Sequence, residues 1–140
     1  MAASRAAIAA LQGALAAEHA AVYGYGVVGA VLAGTAEADA RADWTAHQVA
    51  RDSLEAMLTR LGATPVAASP AYRLPFPVTS AKSAGQLAAA LENGVTRAYL
   101  GLVAVSDPAL RSFGALSMQT SANRATAWSG ATVAFPGMPA

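Results

Sequence analysis

No cysteine occurs among the 140 residues, which excludes disulfides, thiolate catalysis and cysteine-ligated zinc or iron–sulfur centres. Any metal would have to rest on His, Asp and Glu. Charge is also scarce: Asp, Glu, Lys and Arg make up 12% of the chain, about half the usual share. The nine basic residues are scattered through every segment and the formal net charge is +1, so there is no electrostatic footprint for nucleic acid or anionic lipid. Long apolar runs are missing as well. Ala20–Ala36, the longest nearly uncharged stretch, is broken by four glycines and falls short of the ~20 apolar residues of a membrane-spanning helix. Met1 to Ala10 lacks the apolar block and cleavage pattern of a secretory signal, and a cytoplasmic location is the expectation.

What the chain does have is apolar, alanine-rich sequence, 55% hydrophobic overall, and alanine is the best helix former. Its length suits one domain over residues 1–140. The punctuation predicts four helices. Ser4 can cap the first, expected over about residues 4–33, with Gly34 at its end; Thr35 can cap the second, about 36–61, which Gly62 and Pro65 stop. Pro65, Pro70, Pro75 and Pro77 make residues 63–80 a long irregular connection. A third helix is expected over about 81–105, with a capping box between Ser83 and Gln86. Asp107 followed by Pro108 starts the fourth, about 108–129, which ends at Gly130. The apolar tail from Ala131 to Ala140 is expected to lie across the helices.

Ionisable residues fall on the helical stripes. In the first helix Ile8, Leu11, Leu15, Glu18, Val22, Tyr25, Gly29 and Leu32 alternate in steps of three and four; in the second, Trp44, His47, Arg51, Leu54, Leu58 and Leu61 do the same. That is the period of a buried helix face. A buried carboxylate must be paired, hydrogen-bonded, protonated or metal-bound, because desolvating it alone costs several kcal/mol or more. The connection is long enough to cross the bundle, since eighteen extended residues span roughly 60 Å against roughly 38 Å for a 25-residue helix. The third helix is then parallel to the second, which puts His47 and Glu92 in one layer and Glu18 and Arg51 in the next, one turn down; together Glu18, His47, Arg51 and Glu92 make up a polar layer near mid-height. Gln119, Asn123 or Arg124 come from the fourth helix.

The runs AEHAAVYGYGVVGA at 17–30, HQVARDSLEAML at 47–58, PAYRLPFPV at 70–78 and VAFPG at 133–137 resemble an uncharacterised family of ferritin-like domains. The resemblance covers nearly the whole chain and implies an all-α, ferritin-like four-helix bundle with the long crossover between helices 2 and 3. Di-iron members of that superfamily take one Glu from each of two helices and an ExxH from each of the other two, about six donors in all. Glu18 and Glu92 match the single-Glu positions and His47 could match one His. Trp44, however, stands where the second-helix Glu would be, and the fourth helix has neither Glu nor His.

Two readings follow. In the first, the site is degenerate and metal-free, Glu18 is ion-paired with Arg51, His47 is hydrogen-bonded to Glu92, and the protein is a structural or interaction module without catalysis. In the alternative, Glu18, His47 and Glu92 hold Fe or Mn in an oxidoreductase or iron-handling protein. Arg51 could also be an ordinary surface charge in a frame shifted by one position. His19, about 100° round the helix from Glu18, reads as a surface or interface residue. Tyr25, Tyr99, Trp44 and Trp128 read as core or interface aromatics, each needing one polar partner.

Gly24, Gly26 and Gly29 spell GxGxxG, but no strand precedes them and no βαβ unit exists, so a dinucleotide site is refused. Helical glycines cost up to ~1 kcal/mol each relative to alanine. Close approach of Tyr72, Leu74 and Phe76 from the connection, or of a second copy of the chain, would explain them. Low surface charge and apolar helix faces make a homodimer the expected assembly.

Overall fold

The computed structural model describes residues 4–138; Met1 to Ala3 at the expected helical start, and Pro139 and Ala140 of the tail, lie outside the described residues. The rest folds into four helices, α1 (Arg5–Ala30), α2 (Gly34–Arg60), α3 (Ala81–Val103) and α4 (Pro108–Ser129), with no strand among the described residues. No described helix is long and apolar enough to cross a membrane.

Local chemistry sets each boundary. The Ser4 hydroxyl accepts from the Ala7 amide at the start of α1. The expected Thr35 cap is not used: α2 begins at Gly34, two residues earlier than expected, its N-cap is Ala33 without a side-chain hydrogen bond, and Gly34 has φ 62°. Glycine takes that left-handed conformation without strain, and with the helix starting at Gly34 the hydroxyl at 35 lies inside the first turn, past the cap position. At α3 the capping box pairs Ser80 with Ser83 and leaves Gln86 out, and the helix ends at Val103. Asp107 accepts from the amides of Ala109 and Leu110, Pro108 occupies the first turn, and Gly130 closes α4 at φ 72°.

Side-chain pairs fix the directions. Tyr25 and Glu18 of α1 meet Glu92 and Tyr99 of α3, so these helices are antiparallel. His47 of α2 reaches Glu18 and Glu92 at one height. Phe113 and Trp128 of α4 pack on Tyr99 and Tyr25, so α4 opposes α3. The order is up, down, down, up, and α2 and α3 are parallel. Residues 61–80 therefore run back along α1. The Gln12 amide donates to Thr64 O at 2.7 Å and its carbonyl accepts from the Val66 amide at 2.8 Å. Tyr72 packs on Tyr23, and Leu74, Phe76 and Val78 pack against the upper end. The tail comes back onto α3, where Gly137, at φ 82°, lies close against Thr96 and Arg97, so that an added Cβ would be 3.1 Å from Thr96 Cγ2.

Two apolar clusters result. The lower one holds Leu11, Leu15, Leu54, Leu58, Val95 and Leu102; the upper one holds Tyr25, Val28, Ala40, Ala84, Leu87 and Ala88. The polar layer lies between them.

Candidate functional site

Glu18, His47 and Glu92 come together between the clusters and are 2%, 1% and 0% exposed. His47 stands between the two carboxylates. Its Nδ1 is 2.5 Å from Glu18 Oε2 and its Nε2 is 2.7 Å from Glu92 Oε1. Tyrosines add to both carboxylates: the Tyr99 hydroxyl donates to Glu18 Oε1, the oxygen away from His47, at 2.7 Å, and the Tyr25 hydroxyl donates to Glu92 Oε1, the oxygen that also faces His47, at 2.6 Å. Tyr25 also stacks on the His47 ring at 5.3 Å. The pairing is reciprocal, because each of the antiparallel helices α1 and α3 carries a Glu and, seven residues later, a Tyr, two turns along the same face. Each Tyr reaches the Glu of the other helix.

Further contacts through Asp43 tie α2 to α4. Asp43, one turn before His47, accepts from Trp128 Nε1 at 2.8 Å and faces Arg124 Nε at 3.2 Å, and its Oδ2 lies 3.3 Å from the Tyr25 hydroxyl. Among the described buried side-chain atoms, only Glu92 Oε2 has no hydrogen-bond partner.

Both His47 nitrogens face carboxylate oxygens, so a fully satisfied ring donates from both, as an imidazolium. Burial alone would lower its pKa; the hydrogen bonds to Glu18 and Glu92, then their charges, outweigh burial and raise it to about 9. Tyr25 and Tyr99 are held far above the ordinary phenol value, first by burial and then by the adjacent Glu92 and Glu18. They remain neutral donors.

Arg51 is not part of this layer. Its side chain is 28% exposed and its guanidinium pairs with the neighbouring Asp52 at 2.8 Å, so the expected Glu18–Arg51 ion pair does not form. Residue 51 lies about 40° round α2 from His47 at 100° per residue, which puts its long side chain at the rim. His47 supplies the cation instead. Of the three expected α4 contributors, Arg124 faces the network while Gln119 and Asn123 are exposed. His19 is buried, 6% exposed, with its Nε2 2.9 Å from Val66 O. It faces the crossover connection, which makes a core of what the sequence presents as helix surface. Gly24 does meet a neighbour, but it is Leu91 of α3: an added Cβ would lie 2.5 Å from its Cδ1. Gly26 and Gly29 meet nothing within 4 Å, neither Tyr72, Leu74 nor Phe76.

As arranged, these residues do not fit a metal. An ion bound ~2.0–2.2 Å from one imidazole nitrogen could not reach the carboxylate beyond the other, since the ring stands between the two. Among the described residues no three His, Asp or Glu side chains converge as a ligand set. Asp43 and the roles of Tyr25 and Tyr99 were not evident from the stripes alone. The repeated Glu-x6-Tyr spacing and the Asp43–His47 spacing of four were the signals for them.

Residues 10–140 match the family model described as "Domain of unknown function (DUF4439)". The chain belongs to this family. The DUF4439 domain is also similar to a solved structure, a conserved hypothetical protein, rv2844, from Mycobacterium tuberculosis, at 35% identity and a TM-score of 0.85, covering 89% of this chain and 96% of that one. No curated protein matches the chain.

Proposed function

We propose that this DUF4439 domain is a ferritin-like bundle acting in the cytoplasm as a structural or interaction module without catalysis, its mid-height layer converted into a metal-free internal lock. The observation that carries the reading is the position of His47, whose two ring nitrogens lie 2.5 and 2.7 Å from the Glu18 and Glu92 carboxylates. One imidazolium holds Glu18 and Glu92 from opposite sides, and Tyr99 and Tyr25 each donate a further hydrogen bond to one of the two carboxylates. Burial of all three ionisable groups leaves a substrate no route to them. Arg51 has no part in this neutralisation; the internal cation of the degenerate site is the histidine.

Glu92 Oε2, buried without a partner, is the one feature on the side of the metal alternative, in which Glu18, His47 and Glu92 would serve Fe or Mn chemistry. Elemental analysis separates the two. Protein refolded with Fe(II), Mn(II) or Zn(II) and then dialysed is expected to retain no stoichiometric metal. Retention of about one equivalent that Glu92→Ala releases would overturn the proposal.

A further inference from the structure

Gly26 and Gly29 weaken α1 relative to alanine, yet a Cβ at either would touch nothing within the protein. They line a hollow of about 300 Å³ between α1 and α2, bounded by Tyr25, Trp44, Glu37 and Arg41. On the other flank of the Glu37–Arg41 pair, Gly34, Ala38 and Ala42 line a second depression. The face is thus a ridge of one acid and one base, 3.4 Å apart and 44% and 74% exposed, with a small-residue hollow on each side. Trp44 and Val31, 36% and 37% exposed, stand at its ends.

We infer that this α1–α2 face is the interface of a two-fold homodimer of the chain. An isologous contact needs a patch that matches itself, and this one does in charge and in shape. A two-fold axis crossing α2 near Asp39 runs the two α2 helices antiparallel. Glu37 of each copy then faces Arg41 of the partner subunit, giving two ion pairs from one ridge. Each ridge enters the other copy's small-residue hollow, as ridges pack into grooves between helices. In the same register Trp44 faces the Val31–Gly34 turn of the partner subunit, so the exposed apolar side chains cover one another. One charge of each sign makes the patch a poor match for a strongly acidic or basic partner and a good match for its copy.

Sedimentation equilibrium on the full chain tests this. Wild type is expected to dimerise. Glu37→Arg and Arg41→Glu, each of which places like charges opposite one another twice per dimer, are expected to weaken association by about 100-fold, and the E37R/R41E double variant to restore it. Gly29→Leu, which has space within the monomer, is expected to abolish the dimer while the circular-dichroism melt stays cooperative. A wild type that stays monomeric to about 1 mM, a dimer indifferent to either single charge reversal, or one lost on Phe135→Ser of the exposed tail instead, would overturn the inference.

Discussion

Leu11, Leu15, Leu54, Leu58 and Leu102 fill the lower half of the bundle without a polar atom to satisfy, whereas one turn above them Glu18, His47 and Glu92 are as deeply buried and carry charge. The leucines hold through the area they withhold from water, roughly 25 cal/mol per Å², and each acts nearly alone. The polar residues hold only as a set. The same low dielectric that strengthens their hydrogen bonds makes any member left without its partner costly. An apolar core tolerates loss in proportion to volume; the polar layer tolerates replacement of the whole better than loss of a part.

His47→Leu sharpens this contrast most. It leaves two carboxylates buried without their cation and is expected to cost about 3–5 kcal/mol in urea unfolding. Replacing Glu18, His47 and Glu92 together by leucine or methionine is expected to cost less than that single change, because no charge is then left over. A triple variant at the sum of its singles would erase the distinction. Leu54→Ala in the lower cluster is expected to cost about 2–5 kcal/mol and to add independently to a distant change such as Ala84→Gly.

Next in size is the dependence on pH. The folded pKa of His47, about 9, lies above its ordinary value of 6.5, so the folded state holds the proton more tightly. Its contribution is therefore complete below about pH 6.5 and is lost as pH rises toward and through 9, roughly 3 kcal/mol in all. His47→Leu should lack this slope, and Leu54→Ala should keep it. The smallest effect is expected from Arg51→Ala, under about 1 kcal/mol, because its exposed pair with Asp52 is screened by water. A loss of several kcal/mol there would return Arg51 to the core.

Much of this was legible in the sequence. Asp107–Pro108, Gly62 and Gly130 state their structural roles through backbone chemistry alone, and the prolines mark residues 63–80 as irregular; bundle topology follows from those lengths. The stripe placed Glu18 and His47 inward, and the parallel arrangement of α2 and α3 put Glu92 at the height of His47; Glu18, expected one turn lower, reaches the same ring. Arg51 misled because a helical stripe fixes a backbone angle, while a long side chain at its edge can turn to solvent. His19 misled for the opposite reason: its burial comes from the crossover connection laid over α1, which no periodicity within α1 encodes. The hydrogen-bond partners of Tyr25 and Tyr99 needed the antiparallel register as well as the spacing.

The state of the His47 ring tests the account most directly, and side-chain ¹⁵N NMR reads it. At pH 7 both nitrogens are expected to carry protons and to show imidazolium shifts, with a titration midpoint of about 9. A neutral ring at pH 7, with one bare nitrogen or one moved by a bound metal, would contradict the claim that a protonated histidine is the cation of this core.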